Sequence, residues 1–360
     1  MTAFSDVVLV FEDVDDHFEL VEETLEATIS DQLRIERADI DREEESNPRK
    51  AVEALIAKHD TPLLTVLDWD LSKGKGPISR DNVLTYCENN HIALCVYHKR
   101  DTGDEDVEKI KDYDEDRIKL DTNLSWQAIG EKTGHIANGF NRIRTTIQRV
   151  FDEESSVRPI PSLLDAPPSV RGKLDQYSWG NPGAIKSGQV EMDQSEIIKR
   201  ATTHQGYWIL NELLEFPGAL LNETALAAYL NVDHEAFIAN DQFKDPLESA
   251  AYTGPFAELE NWWWTPLIDE ISIEQKRSDE PKGTIGPTLF ERLELPPISN
   301  ARCHSELADD CDDARYYCII KEKPVCRDHS VSPDGWIPKG ATRSRVSEEE
   351  FDRLKPHLMM

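Results

Sequence analysis

Apolar residues in the first 150 positions recur at two alternating spacings. Val7–Phe11 reads VVLVF, a continuous apolar run of strand length, as expected for a strand buried on both faces of a parallel sheet. In Asp15–Ile29 the residues Phe18, Val21, Leu25 and Ile29 fall three or four apart, which predicts a helix with one buried stripe. Leu33–Ala38 reads as a weaker strand, and Pro48–Lys58 as a helix with Val52, Leu55 and Ile56 inward. The alternation continues through strands at Leu63–Leu67, Ile92–Tyr97 and Arg117–Leu120. Helices are predicted between and after them, at Ser79–Asn89, Asp104–Tyr113 (a polar one) and Leu124–Phe151. Strands and helices taken in turn predict an α/β unit with a doubly wound five-stranded parallel sheet, flavodoxin-like in topology, with right-handed crossovers.

The pattern then changes. Residues 151–192 include RPIPSLLDAPPSVRG and SWGNPG, rich in Pro, Gly and Ser, and predict a linker or an extended segment lying on a neighbour. Helical spacing returns over 193–274, in Ile197, Ile198, Ala201, Trp208, Ile209 and Leu213, in Glu223–Leu230, and in Pro255–Ile273. The last of these carries Trp262-Trp263-Trp264; on a helix, three consecutive indoles point in three directions, so at least one meets another element or a partner. Residues 275–360 are Pro-rich, then Cys-rich, and end in the charged helix SEEEFDRLKPHL. The predicted organisation is a sheet unit over 1–150, a linker over 151–192, a helical domain over 193–274 and a small Cys-rich module over 275–360.

Charge narrows the partners. Seventy Asp and Glu against forty Lys and Arg give a formal charge of −30. Nucleic-acid affinity rests largely on Lys and Arg contacts to phosphate, so no nucleic-acid partner is expected. ALLNETALAAYLNVDHEAF has the look of a helix-turn-helix, but its second helix would be HEAFIANDQF, with neither Lys nor Arg, and a plain helical hairpin is the expectation. No apolar run approaches the ~18 residues of a membrane span, and MTAFSDVVLVFEDVDD has no basic n-region of a signal peptide. A cytoplasmic protein is expected, without membrane partner. In that compartment clustered cysteines suggest metal before disulfides.

In an open α/β sheet, ligands bind at the carboxyl ends of the strands near the switch point. Glu12 and Asp13 directly follow the first strand and Asp68 ends the third, strands that are neighbours in the order 2-1-3-4-5. Converging carboxylates repel one another unless a hard cation lies between them, and Mg²⁺ with its oxygen ligands suits such a site. Lys119 would bring an ammonium to the same rim.

VVLVFED at the first strand, LLTVLDWDLSKGKG around the third and RIKLD at the fifth together resemble the receiver domain of bacterial two-component response regulators. The resemblance covers residues 1–150. It implies that Glu12, Asp13 and Asp68 hold Mg²⁺, that Asp68 is the phospho-acceptor, and that Lys119 pairs with the phosphoryl oxygens. It also implies a histidine kinase or a related GHKL-type ATPase as phospho-donor, and a downstream protein as receiver of the signal. The sequence departs from the family at the end of the fourth strand, where LCVYHK has no hydroxyl except that of Tyr97 in place of the usual Ser or Thr. Ser72 and Leu120 stand where the family commonly carries proline.

Three function classes follow. One is a phosphorylation-responsive signalling protein with a protein-interaction output half. A second is a pseudo-receiver adaptor in a multi-protein system such as a defence cluster. A third is a Mg²⁺-dependent phosphohydrolase: Asp68-Trp69-Asp70 has the D-x-D spacing of haloacid-dehalogenase-like enzymes, although those place it after the first strand.

In the C-terminal module Cys326-x-x-His329 has the spacing of a zinc knuckle, and Cys303 with Cys311 would supply the other pair of a structural Zn²⁺ site. Without a tight C-x-x-C pair, reduced cysteines in a core remain the other reading. Cys318, between Tyr317 and Ile319, is expected to face a strand core.

Overall fold

The computed structural model describes residues 5–41, 47–72, 74, 76–97, 117–120, 123–152, 159–174, 193–274, 287–308 and 311–358. The first half is a five-stranded, all-parallel sheet in the order β2-β1-β3-β4-β5, formed by β1 (Val7–Phe11), β2 (Arg34–Arg37), β3 (Leu64–Asp68), β4 (Ala93–Tyr97) and β5 (Ile118–Leu120). This α/β architecture, consistent with a flavodoxin-like fold, is the one that the alternating pattern predicts. The helix expected at Asp104–Tyr113 lies outside the described residues.

Every side chain of β1 and β4 is buried, because helices cover both faces. Val8, Val10, Val66 and Cys95 face α1 (Asp15–Thr28) and α4 (Trp126–Asp152). Val7, Leu9, Leu67 and Val96 face α2 (Pro48–Lys58) and α3 (Arg80–Asn89). α2 begins on an Asn47 cap that accepts from the N–H groups of Arg49 and Lys50, with Pro48 in its first turn.

The 27 residues of α4 make a rod about 40 Å long, buried along Ile129–Ile147 on the sides that face the sheet, α1 and the second half, with Gln127, Glu131, Thr145 and Arg149 exposed. One side packs on α1 at Gly130, where a Cβ would lie 2.5 Å from the Val21 carbonyl oxygen, so only glycine permits this approach. The other side meets α7 (Gln194–Tyr207), and Phe140 stacks edge-on against Tyr207 and Phe256. The apolar cluster under α4 therefore runs unbroken from the sheet into residues 198–264.

Two sequence expectations change here. Within the expected linker, residues 159–174 contain α5 (Pro159–Leu163) and α6 (Pro168–Leu174), with Ile160, Leu163, Leu164 and Val170 buried in that same cluster. Proline at the start of each is compatible with a helical first turn, so a Pro-rich segment with spaced apolar residues packs as short helices. The Trp run is not helical: Trp262–Trp264 form β7, antiparallel to β6 (Leu220–Asn222). Side chains alternate along a strand, and here both sides are cores. Trp262 and Trp264 join the cluster shared with α4, while Trp263 joins a second cluster. That is how three consecutive tryptophans are all buried.

The second cluster holds Leu226, Phe237, Phe290, Tyr317, Val346 and Leu354. It lies between α8 (Glu223–Leu230), α9 (His234–Ile238), α10 (Thr265–Glu274), α11 (Pro287–Arg292) and a four-stranded sheet. α8 and α9 form a helical hairpin, capped by Asn222 and Asp233 and joined through Asn231 at φ 55°. The small sheet has the order β10-β11-β8-β9, from β8 (Tyr316–Cys318), β9 (Lys323–Val325), β10 (Ser330–Val331) and β11 (Ser344–Ser347), and α12 (Glu348–Leu358) follows. Among the described residues no helix is long and apolar enough to cross a membrane.

Candidate functional site: an acidic centre and a thiol centre

Pairing of β1 with β3 sets Phe11 beside Leu67, so the residues that follow each strand emerge side by side. Carboxylate oxygens of Glu12, Asp13 and Asp68 lie within 4.8 Å of one another. Glu12 is fully buried. Its Oε1 accepts from the Val14 N–H at 2.9 Å, and its Oε2 accepts from the Tyr97 hydroxyl at 2.7 Å. Arg37 reaches across from β2 and donates from Nη2 to the Glu12 carbonyl oxygen at 3.0 Å while pairing with Asp15 at 2.6 Å. Asp13 accepts from the Gly74 N–H at 2.9 Å, which ties the loop after β3 over the site. In that loop a Cβ on Gly76 would lie 1.9 Å from the Ile40 carbonyl oxygen, so the close passage requires glycine.

Asp68 carries the clearest electrostatic signature. Burial pushes its carboxyl up to about 7, reinforced by Glu12, Asp13 and Asp70, with only the Asp70 N–H at 3.1 Å opposing. A bound divalent cation relieves this kind of mutual repulsion, and the all-oxygen donor set fits Mg²⁺. Asp70 is exposed and accepts from the Ser72 N–H.

Tyr97 is the residue whose role the sequence left open. It ends β4 directly beside Asp68, and burial together with Glu12 and Asp68 raises its phenol well above the usual range, so it stays protonated and donates. Trp126 meets the Tyr97 ring edge-on at 5.9 Å and stacks on His17 at 4.1 Å. Lys119 is exposed and pairs with Val96, one residue short of the row formed by Asp68, Tyr97 and Leu120.

The second centre joins Cys303, Cys311, Cys326 and His329, whose ligand atoms also lie within 4.8 Å of one another. Cys326 and His329 flank the turn after β9, and Sγ of Cys326 is 3.0 Å from Nδ1 of His329. The Cys326 N–H donates to Sγ of Cys303 at 3.2 Å, and the Cys303 N–H donates to the Cys311 carbonyl oxygen at 2.9 Å. All six cysteines are free. Cys318 is buried in β8, as its neighbours predict, and Cys87 and Cys95 are buried in the first half, where burial pushes both thiols up to about 12. Among the described residues these are the two groups able to hold a metal ion.

Comparison with protein families, with characterised proteins and with solved structures gives no match. The two centres are therefore interpreted from their own geometry.

Proposed function

We propose that this chain is a phosphorylation-responsive signalling protein whose first half is a receiver-type module. The observation that carries the reading is the convergence of Glu12, Asp13 and Asp68 at the carboxyl end of a parallel sheet. Asp68 is the nucleophile: a carboxylate oxygen attacks the phosphorus of a phospho-donor. The bond from phosphorus to the donor's leaving atom breaks, its electron pair leaves with the donor, and an aspartyl phosphate remains. Bound Mg²⁺ would offset charge at the phosphoryl oxygens. Asp13 and Asp68 have the accessible carboxylates to hold it, with Glu12 behind them. The modification adds about −1.5 to −2 charges among carboxylates that already repel one another. The donor class is a histidine kinase or GHKL-type ATPase, and the C-terminal half, with its Cys–His quartet as a structural Zn²⁺ centre, is the part that meets a downstream protein.

One observation favours a second reading, a receiver-shaped scaffold that is not phosphorylated. Both Glu12 oxygens already accept hydrogen bonds, from Val14 and Tyr97, which leaves this buried carboxylate committed to the protein itself. Incubation with phosphoramidate and Mg²⁺, followed by intact mass, separates the two. The signalling reading predicts a Mg²⁺-dependent gain of one phosphoryl group that is absent in Asp68→Asn. Failure to gain it, with beryllofluoride leaving thermal stability unchanged, selects the scaffold.

A further inference from the structure

The described residues of the 299–315 loop have little packing of their own. The described part contains no helix or strand, and its buried apolar side chains are only Ala301 and Ala314. Its main-chain ties to the rest of the fold are few, namely Asp233 N–H to Ser299, His304 N–H to Pro324 and Glu306 N–H to the Glu349 carboxylate, while Cys303 N–H to Cys311 and Ala314 N–H to Ala301 join its own two arms. Yet it projects Cys303 and Cys311 onto the same point as Cys326 and His329.

We infer that Cys303, Cys311, Cys326 and His329 together bind one Zn²⁺, and that this ion is what fastens the 299–315 loop to the β8–β9 hairpin. The inference deepens the metal-centre part of the proposed function and is independent of whether Asp68 is phosphorylated.

Geometry supports it first. Bond lengths of about 2.3 Å to sulfur and about 2.0 Å to nitrogen in a tetrahedron set ligand atoms roughly 3.5–3.8 Å apart. The four atoms here all lie within 4.8 Å of one another, so closing on an ion takes shifts of about an ångström or less. Four protein ligands leave no open position, which makes the centre structural and not catalytic. The second support is the hydrogen bond from the Cys326 N–H to Sγ of Cys303 at 3.2 Å, which holds that sulfur against the end of β9. A third is charge. Three thiolates, a neutral imidazole and Zn²⁺ leave one net negative charge, and Arg345 of β11, held by Ser330 at 2.7 Å, is a cation near enough to interact with Cys326. Cys318 is excluded from the set: its Sγ faces the N–H groups of Lys321 and Ser347 in the strand core.

The test uses the full chain, expressed with Zn²⁺ and dialysed against metal-free buffer, with metal counted by plasma mass spectrometry. One zinc per chain is expected in the wild type, in Asp68→Asn and in Cys318→Ser, and loss of the ion in Cys303→Ser and Cys326→Ser. Because those losses might accompany misfolding, Co²⁺ exchange into the wild type adds a direct readout. Thiolate-to-cobalt absorption of tetrahedral type is expected, retained with a shifted spectrum in His329→Cys. A wild type without tightly held zinc, zinc retained in Cys326→Ser, zinc lost from Cys318→Ser, or another metal bound in preference would each overturn the assignment.

Discussion

Glu12, Asp13 and Asp68 stand at the ends of two paired strands, whereas Cys303, Cys311, Cys326 and His329 stand on a loop and a turn. The carboxylates converge because the sheet forces them together. Backbone hydrogen bonds and helices on both faces supply the energy, and burial, with the neighbouring carboxylates adding to it, pushes the Asp68 carboxyl up to about 7. The thiol centre has the opposite logic. The loop that carries Cys303 and Cys311 buries little apolar area among its described residues, so on the proposed reading a soft-donor metal would supply the cohesion that holds it to the hairpin. On the proposed reading a cation at the first centre would be used by a scaffold that exists without it, and at the second it would complete the scaffold.

Three perturbations test this contrast, beginning with the largest effect. Zinc chelation should raise amide hydrogen exchange across the described residues of the 299–315 loop by orders of magnitude and leave β1, β3 and β4 protected. Equal exchange in both regions would show that the loop stands without an ion. Tyr97→Phe should destabilise the protein by about 1–3 kcal/mol in urea titration, because it strips a buried carboxylate oxygen of its donor. Added Mg²⁺ should recover part of that loss, since Oε2 of Glu12 then becomes a free ligand; an unchanged denaturation midpoint would remove the Tyr97–Glu12 bond from the account.

The smallest effect is the pH dependence at Asp68. Its folded value near 7 lies above the ~3.9 of an unfolded Asp, so between those values the folded chain keeps a proton that the unfolded chain has released. The contribution of Asp68 is thus most favourable below about pH 4 and is lost as pH rises toward 7 and beyond. Asp68→Asn should therefore gain Tm relative to wild type between pH 5 and pH 8, and Mg²⁺ should raise the wild-type Tm more at pH 8 than at pH 5. Parallel Tm curves for the two proteins would mean that Asp68 is an ordinary exposed carboxylate.

The sequence alone carried the alternation of strand and helix in the first half, the three carboxylates at strand ends and the Cys326–His329 pair. Each is written in short-range periodicity or spacing, which backbone geometry converts directly into position. Cys303 and Cys311 were assigned to the same centre from residue type, but only the folding of the loop back onto β9 brings them to Cys326. Tyr97 was legible as a hydroxyl in an unusual place; that it faces Glu12 follows from the packing of β4 against β3 and of Trp126 above it. The Trp run was misread because apolar residues in succession do not say how many cores they separate. A strand with one core beneath it alternates apolar and polar, and β7, walled by two, has no polar side to show. Local order was set by covalent geometry and side-chain type, while the tertiary structure decided which surfaces those elements share, because burial is a property of all the neighbours at once.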